Sequence, residues 1–236
     1  MNIYTPKQIA TILSVSTTTL RRYEEQDLIP NVPRTKSNHR FYTSIHLQAF
    51  TTIRALLKGY NIPVVYEVMR MIKNANIEKA LWSVNKQQFH LQVEKQRVGE
   101  ILAMIQSANF TSYKNIKIKK HISIGEAAEI AGVNTSAIRH WENEGLIRSE
   151  RNKENGYRMF TIPELRKILV ISSLRKTVYY IENMKQLLED LDTQSHIKIE
   201  RAFQLALENL NNQLLLQFKG ITELTKYISF YQEINI

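Results

Sequence analysis

Cysteine does not occur in this chain. Its absence removes disulfides, thiolate catalysis, Cys-based zinc sites and thiol redox sensing together. Glycine and proline are scarce, at seven and five in 236 residues. Strand-like alternation is rare as well, so a mostly helical chain is expected. No run of about 18 apolar residues occurs, and the first residues lack a basic-then-apolar signal pattern. The expectation is a soluble cytoplasmic protein with no membrane partner. His39, His46, His90, His121, His140 and His196 show no i, i+4 spacing, so neither a metal nor another cofactor is expected. No Gly-rich phosphate loop, carboxylate pair or nucleophile–base arrangement stands out, which argues against an enzyme. Acidic charge is also in deficit: 32 Lys and Arg face 22 Asp and Glu, for a net charge of +10. Such a balance favours polyanions, with nucleic acid first and an anionic membrane surface second.

What the chain does have is a repeat. Residues 3–60 lie on residues 121–178 without a gap, and 14 of the 58 pairs are identical. The identities include Val15/Val133, Thr17/Thr135, Arg21/Arg139, Glu24/Glu142, Leu28/Leu146 and Arg40/Arg158. A pattern that recurs in register is a unit of structure. Segments 1–60 and 119–178 carry +5 and +4, whereas the segments that follow them, 61–118 and 179–236, carry +4 and −3.

Each unit opens with a short helix, expected over 6–13 and 124–131. Thr5 and Ser123 stand as N-caps, and Gln8 and Glu126 complete capping boxes. A tight turn leads to a second helix, 17–26 and 135–144, which makes a helix-turn-helix. The polar segments 33–42 and 151–160 follow and read as two-stranded wings. Asn38 and Gly156 share a register there, and both tolerate positive φ at a hairpin tip. Further helices are expected near 43–58, 62–73, 162–176 and 180–190.

A longer helix closes each unit. Val84, Leu91, Val98 and Ile105 recur every seven residues in the first. Leu207, Leu214, Ile221 and Ile228 do so in the second, beside a parallel stripe of Phe203, Leu210, Leu224 and Tyr231. Sustained 3–4 apolar spacing is a coiled-coil signal. The expected layout is a first head over 1–81, its coiled-coil helix over 82–108 and a linker over 109–120. A second head over 121–192 and a longer helix over 193–236 complete it.

The second helix of each unit carries the chemistry. Arg21, Arg22 and Tyr23, and in the other unit Arg139, His140 and Trp141, lie where a recognition helix meets base edges in a major groove. Thr17, Thr18 and Thr19, with Thr135 and Ser136, head these helices and suit phosphate contact. Wing residues Lys36, His39, Arg40 and Tyr42, with Lys153, Tyr157 and Arg158, would grip backbone or minor groove. Tyr23 and Trp141 are also open to a packing role.

The runs Thr19-Leu20-Arg21-Arg22-Tyr23-Glu24 and Asn38-His39-Arg40-Phe41-Tyr42 resemble the mercury-resistance-regulator (MerR) family of bacterial transcription factors. So do Ala137-Ile138-Arg139-His140-Trp141-Glu142 and Asn155-Gly156-Tyr157-Arg158-Met159-Phe160. The resemblance recurs once per half and implies two winged helix-turn-helix domains, each followed by a coiled-coil helix. It implies a cytoplasmic, nucleoid-associated regulator that binds double-stranded promoter DNA, bends or twists it, and acts on RNA polymerase indirectly. Asp27 and Asn38 stand where the family pattern has glycine, and His140-Trp141 where it has a Tyr pair.

Two fused heads suggest an intramolecular pseudo-dimer, with a four-headed homodimer as the alternative. Differences at Arg22/His140, Lys36/Glu154 and Pro30/Arg148 lead to the expectation of a non-palindromic site. An architectural, excisionase-like DNA-bending protein is the competing function.

Overall fold

The structure is a computed structural model and describes residues 2–107, 121–175, 181–192 and 196–234. The expected linker, 109–120, lies outside the described residues. Elements run in the order β1 (Ile3–Tyr4), α1 (Pro6–Ile12), α2 (Thr17–Glu25), β2 (Tyr42–Thr43), α3 (Ser44–Gly59), α4 (Ile62–Lys73) and α5 (Ile77–Ser107). The same order, with one strand added, then returns as β3 (His121–Ser123), α6 (Ile124–Ala131), α7 (Thr135–Asn143), β4 (Glu150–Arg151), β5 (Arg158–Thr161), α8 (Ile162–Leu174), α9 (Ile181–Asp192) and α10 (His196–Ile234). The 118-residue offset found in the sequence relates α2 to α7 end for end. The fold is mostly helical, with a helix-turn-helix opening each half.

Local chemistry explains the shared plan. Thr5 accepts the Gln8 amide while Gln8 Oε1 accepts the Thr5 amide, and Ser123 and Glu126 do the same for α6. Three turns need a left-handed residue, and all three recur in register. Ser14, Asp27 and Asn38, at φ 52°, 60° and 62°, match Gly132, Gly145 and Gly156, at 62°, 73° and 71°. Non-glycine residues therefore hold a disfavoured conformation in the first head that glycine takes freely in the second. The second wing is a true ladder, with β4 and β3 flanking β5. In the first head β1 pairs β2, and its wing closes through a single bridge, Arg34 to Arg40.

The chain forms two compact units that do not follow chain order. One comprises Met1–Gln92 with Asn211–Ile236, and the other Val93–Leu210. Each therefore contains one head and stretches of both long helices. In the first unit Leu224, Tyr227 and Ile228 of α10 join a core built on Leu20, Tyr23, Phe50, Ile53 and Leu56. Polar contacts fix that packing: Gln48 Nε2 donates to Glu223 Oε2 at 2.9 Å, Thr52 to the Glu223 carbonyl at 2.9 Å, and the Tyr231 hydroxyl to the Lys73 carbonyl at 2.7 Å. In the second unit Arg97 of α5 donates to the Ala131 carbonyl at 2.8 Å, capping the C-terminal end of α6.

The long helices depart from expectation in two respects. α5 begins at Ile77, five residues before the expected start, after a turn in which Ala75 adopts φ 60°. In α10 the deepest line is Phe203, Leu210, Gln217 and Leu224, with Ala206 and Tyr227. Leu207, Leu214 and Ile221 flank it, half-buried, and Ile228 alone of that stripe is buried. In the first unit the physical reason is the partner: the part of the line that meets α3 wins, and it admits Gln217 because Nε2 donates to the Gly59 carbonyl at 3.3 Å. Val84, Leu91 and Val98 are buried, Val84 in the core of the first head, and the Ile105 side chain lies outside the described residues.

Candidate nucleic-acid interface

α2 and α7 share one burial pattern position by position. Leu20 and Tyr23, and likewise Ile138 and Trp141, face inward, while Thr18, Arg21 and Arg22, and Ser136, Arg139 and His140, face solvent. Two outward cationic or cationisable side chains on a nine-residue helix are thus held at matching places in both heads. The α2 cap is explicit: Ser16 Oγ accepts the Thr19 amide at 3.1 Å. Thr17, Thr19 and Thr135 are half-buried, and the Thr19 hydroxyl is engaged with Ser16 at 3.0 Å.

Three expected contacts are corrected by burial. Tyr23 is 1 % exposed, Tyr42 0 % and Trp141 7 %. Tyr23 stands three residues after Leu20 on the inward stripe and packs between Phe50 and Tyr66, and Tyr42 meets Phe50 edge-on at 5.2 Å. Their side chains are core, and they support the reading helix from beneath.

Arg40 and Arg158 are also reassigned. Arg40 Nε donates to Glu24 Oε2 at 2.7 Å, and Arg158 Nε donates to Glu142 Oε2 at 2.6 Å. In each head, then, a recognition-helix carboxylate braces the wing. Ser149 adds a hydroxyl bond to Glu142. Burial pushes the Glu142 carboxyl up, but the bonds from Ser149 and Arg158 outweigh it and hold the group below its usual range. Glu24 and Glu142 were not among the expected site residues, yet the repeat conserves both opposite charges, Glu24/Glu142 and Arg40/Arg158, in register.

Lys36 and His39 at the first wing tip, and Lys153 and Tyr157 at the second, are exposed. The first tip is closed by the Thr35 amide donating to the His39 carbonyl at 2.8 Å, and the second by the Asn152 amide donating to the Tyr157 carbonyl at 2.9 Å. The outward reading face of each head thus unites recognition helix and wing tip.

His46 is a further support that sequence reading missed. Its Nδ1 accepts the Thr43 amide at 3.1 Å, leaving Nε2–H to donate to the Asn31 carbonyl at 3.1 Å. Burial lowers its pKa from 6.5, outweighing bonds that favour the cation. The unfolded chain therefore binds the proton first, and this site's contribution is complete above about pH 6.5 and lost as pH falls through the lower folded value. His46→Gln should flatten the fall in first-head stability as pH drops below about 6.5. Denaturant melts of both proteins across that range check it, and parallel curves would refute it. The matching residue in the second head is Glu164, which accepts the Arg148 amide at 2.7 Å.

Residues 4–72 match the MerR HTH family regulatory protein model, and residues 123–160 match the MerR family regulatory protein model. Among similar proteins is the HTH-type transcriptional regulator HmrR of Rhizobium leguminosarum bv. viciae. It is 38% identical over 77 residues, covering 31% of this chain and 59% of that protein. The HTH-type transcriptional regulator CueR of Escherichia coli O157:H7 is 29% identical over 107 residues, covering 40% and 78%. The HTH-type transcriptional regulator ZntR of Escherichia coli strain K12 is 30% identical over 74 residues, covering 31% and 52%. No solved structure matches at a significant level. Both helix-turn-helix segments are of the MerR type.

Proposed function

We propose that this chain, with its two MerR-type heads, is a sequence-specific double-stranded DNA-binding transcription regulator working in the cytoplasm. One observation carries the reading: Arg21 and Arg139 occupy the same outward position on matching, solvent-facing recognition helices, each braced to its own wing. Arg in that place can address a guanine edge with two hydrogen bonds, while wing and helix N-terminus take the phosphates.

The two heads act as an intramolecular pseudo-dimer. In support, each compact unit contains one head and stretches of both long helices. Sequence domains of head and following helix, 1–108 and 121–236, would then exchange the far parts of their long helices. The bound promoter is bent or twisted, and polymerase responds indirectly.

Selection from a randomised duplex library tests this, followed by footprinting, light scattering of the complex and a reporter assay. One chain covering two unlike half-sites, with altered transcription, is the expected result. Failure to enrich any duplex would overturn the reading. Two chains per site would overturn the pseudo-dimer alone, and binding without a reporter response would point to an architectural role.

A further inference from the structure

The heads agree in fold but not in the charge they offer DNA. Over the matched windows 6–42 and 124–160, which run from the first helix through the wing, the first head has six cationic and three anionic side chains, +3. The second has five and six, −1. The near-equal charge of the longer units conceals this, because the surplus of the second comes from Lys119, Lys120, Arg166, Lys167, Arg175 and Lys176, all outside the window.

Three of the six acids in the second window have structural duties. Glu126 completes a capping box, Glu142 holds Arg158, and Glu150 meets His121 at 3.1 Å. The other three stand where the first head has a neutral or basic residue: Glu129 for Thr11, Glu144 for Gln26 and Glu154 for Lys36. Glu129 and Glu154 are exposed. Glu144 lies one helical turn beyond His140, its Oε1 3.9 Å from His140 Nδ1. His140 itself replaces Arg22, and both are exposed.

Non-specific binding to DNA is almost wholly electrostatic and sequence-blind. A head whose window carries +3 is drawn to any duplex more strongly than one whose window carries −1, which depends more on correct base contacts. We propose that the second head is a selectivity gate: the first head anchors the chain on DNA, and acidic side chains at Glu144 and Glu154, with His140 in place of the arginine, keep the second head off non-cognate sequence. This rests on the DNA-binding function proposed above, and it assigns the heads different tasks within it. Discrimination comes from penalising the wrong sequence as well as rewarding the right one.

The triple substitution His140→Arg/Glu144→Gln/Glu154→Lys brings the second window from −1 to +3, level with the first. None of the three positions is buried, so folding should survive. The full chain is titrated by fluorescence polarisation against two probes: a duplex enriched from a randomised library by the wild-type chain, and an unrelated duplex of equal length. Affinity for the unrelated duplex should rise about tenfold or more, and more than for the selected one, so that the selectivity ratio falls. The slope of log affinity against log salt should steepen by about 2–4. Glu154→Lys alone, at the wing tip, should move both quantities the same way by less. A ratio that holds or rises in the triple variant overturns the gate while leaving DNA binding standing. A wild-type chain that enriches no duplex overturns the function and the gate with it.

Discussion

Replacing Arg21 and Arg139 together by alanine should weaken binding to the selected duplex by roughly 30-fold at the least. A well-placed Arg contact to a base edge contributes about 1–3 kcal/mol of discrimination, and contributions from separate heads add. Both side chains are exposed, and neither joins an ion pair in the core. Thermal melting should therefore stay close to that of the parent, since surface substitutions of this kind lie within about 0.5 kcal/mol. Each single variant should erase protection over one half-site and spare the other. A double variant that binds within threefold of the parent, with its footprint intact, would remove these residues from the interface.

The reading faces were largely legible in the sequence because the information is local. Cap residues, turn residues and the outward positions of a nine-residue helix all sit within a few residues of one another. A second copy in register then turns each coincidence into a constraint. The left-handed turns at Asp27 and Asn38 are an example: each residue only tolerates positive φ, and the glycines at the matching positions, Gly145 and Gly156, turn that tolerance into a firm reading. Tyr23 and Trp141 carried a local signal as well, their three-residue spacing from Leu20 and Ile138. The cationic or cationisable residues before them, Arg22 and His140, point the same helix toward the site.

What the sequence left open is set by partners far along the chain. Nothing near Arg97 marks it as the cap of a helix 34 residues away. Nothing near Glu223 marks it as the acceptor for Gln48 and Thr52. The seam of α10 shows the same limit. Two apolar stripes run side by side on that helix, and heptad spacing alone ranks them equally. Only the surface they meet decides, and in the first unit that surface includes the end of α3. The brace from Glu24 to Arg40 lies between these cases: its span of 16 residues is long for local reading, but its exact recurrence in the second head made it recoverable.

The α3–α10 crossing yields the largest expected effect on stability. A Cβ at Gly59 would stand 2.7 Å from the Gln217 amide nitrogen and 2.9 Å from the Leu216 carbonyl carbon, both backbone. Across the same contact, a Cβ at Gly220 would lie 3.2 Å from Leu56 Cα. Backbone cannot rotate away, so a side chain at Gly59 must push α10 outward. Retreat would lengthen the bond from Gln217 to the Gly59 carbonyl, leaving a buried amide side chain unsatisfied, and loosen Leu224 and Tyr227 in the core. Gly59→Val should therefore cost about 2–4 kcal/mol, well beyond the fraction of a kcal/mol by which most residues improve on glycine in a helix. For a chain of this size that lowers Tm by about 5–15 °C and exposes the 211–234 stretch to proteolysis. Gly99 is the internal control: it lies within α5, and a Cβ there meets nothing within 4 Å. Gly99→Ala should raise stability by about 0.5–1 kcal/mol, since only the conformational freedom of glycine is removed. If both substitutions shift Tm in the same direction, the close crossing is not what holds α10 on the first head.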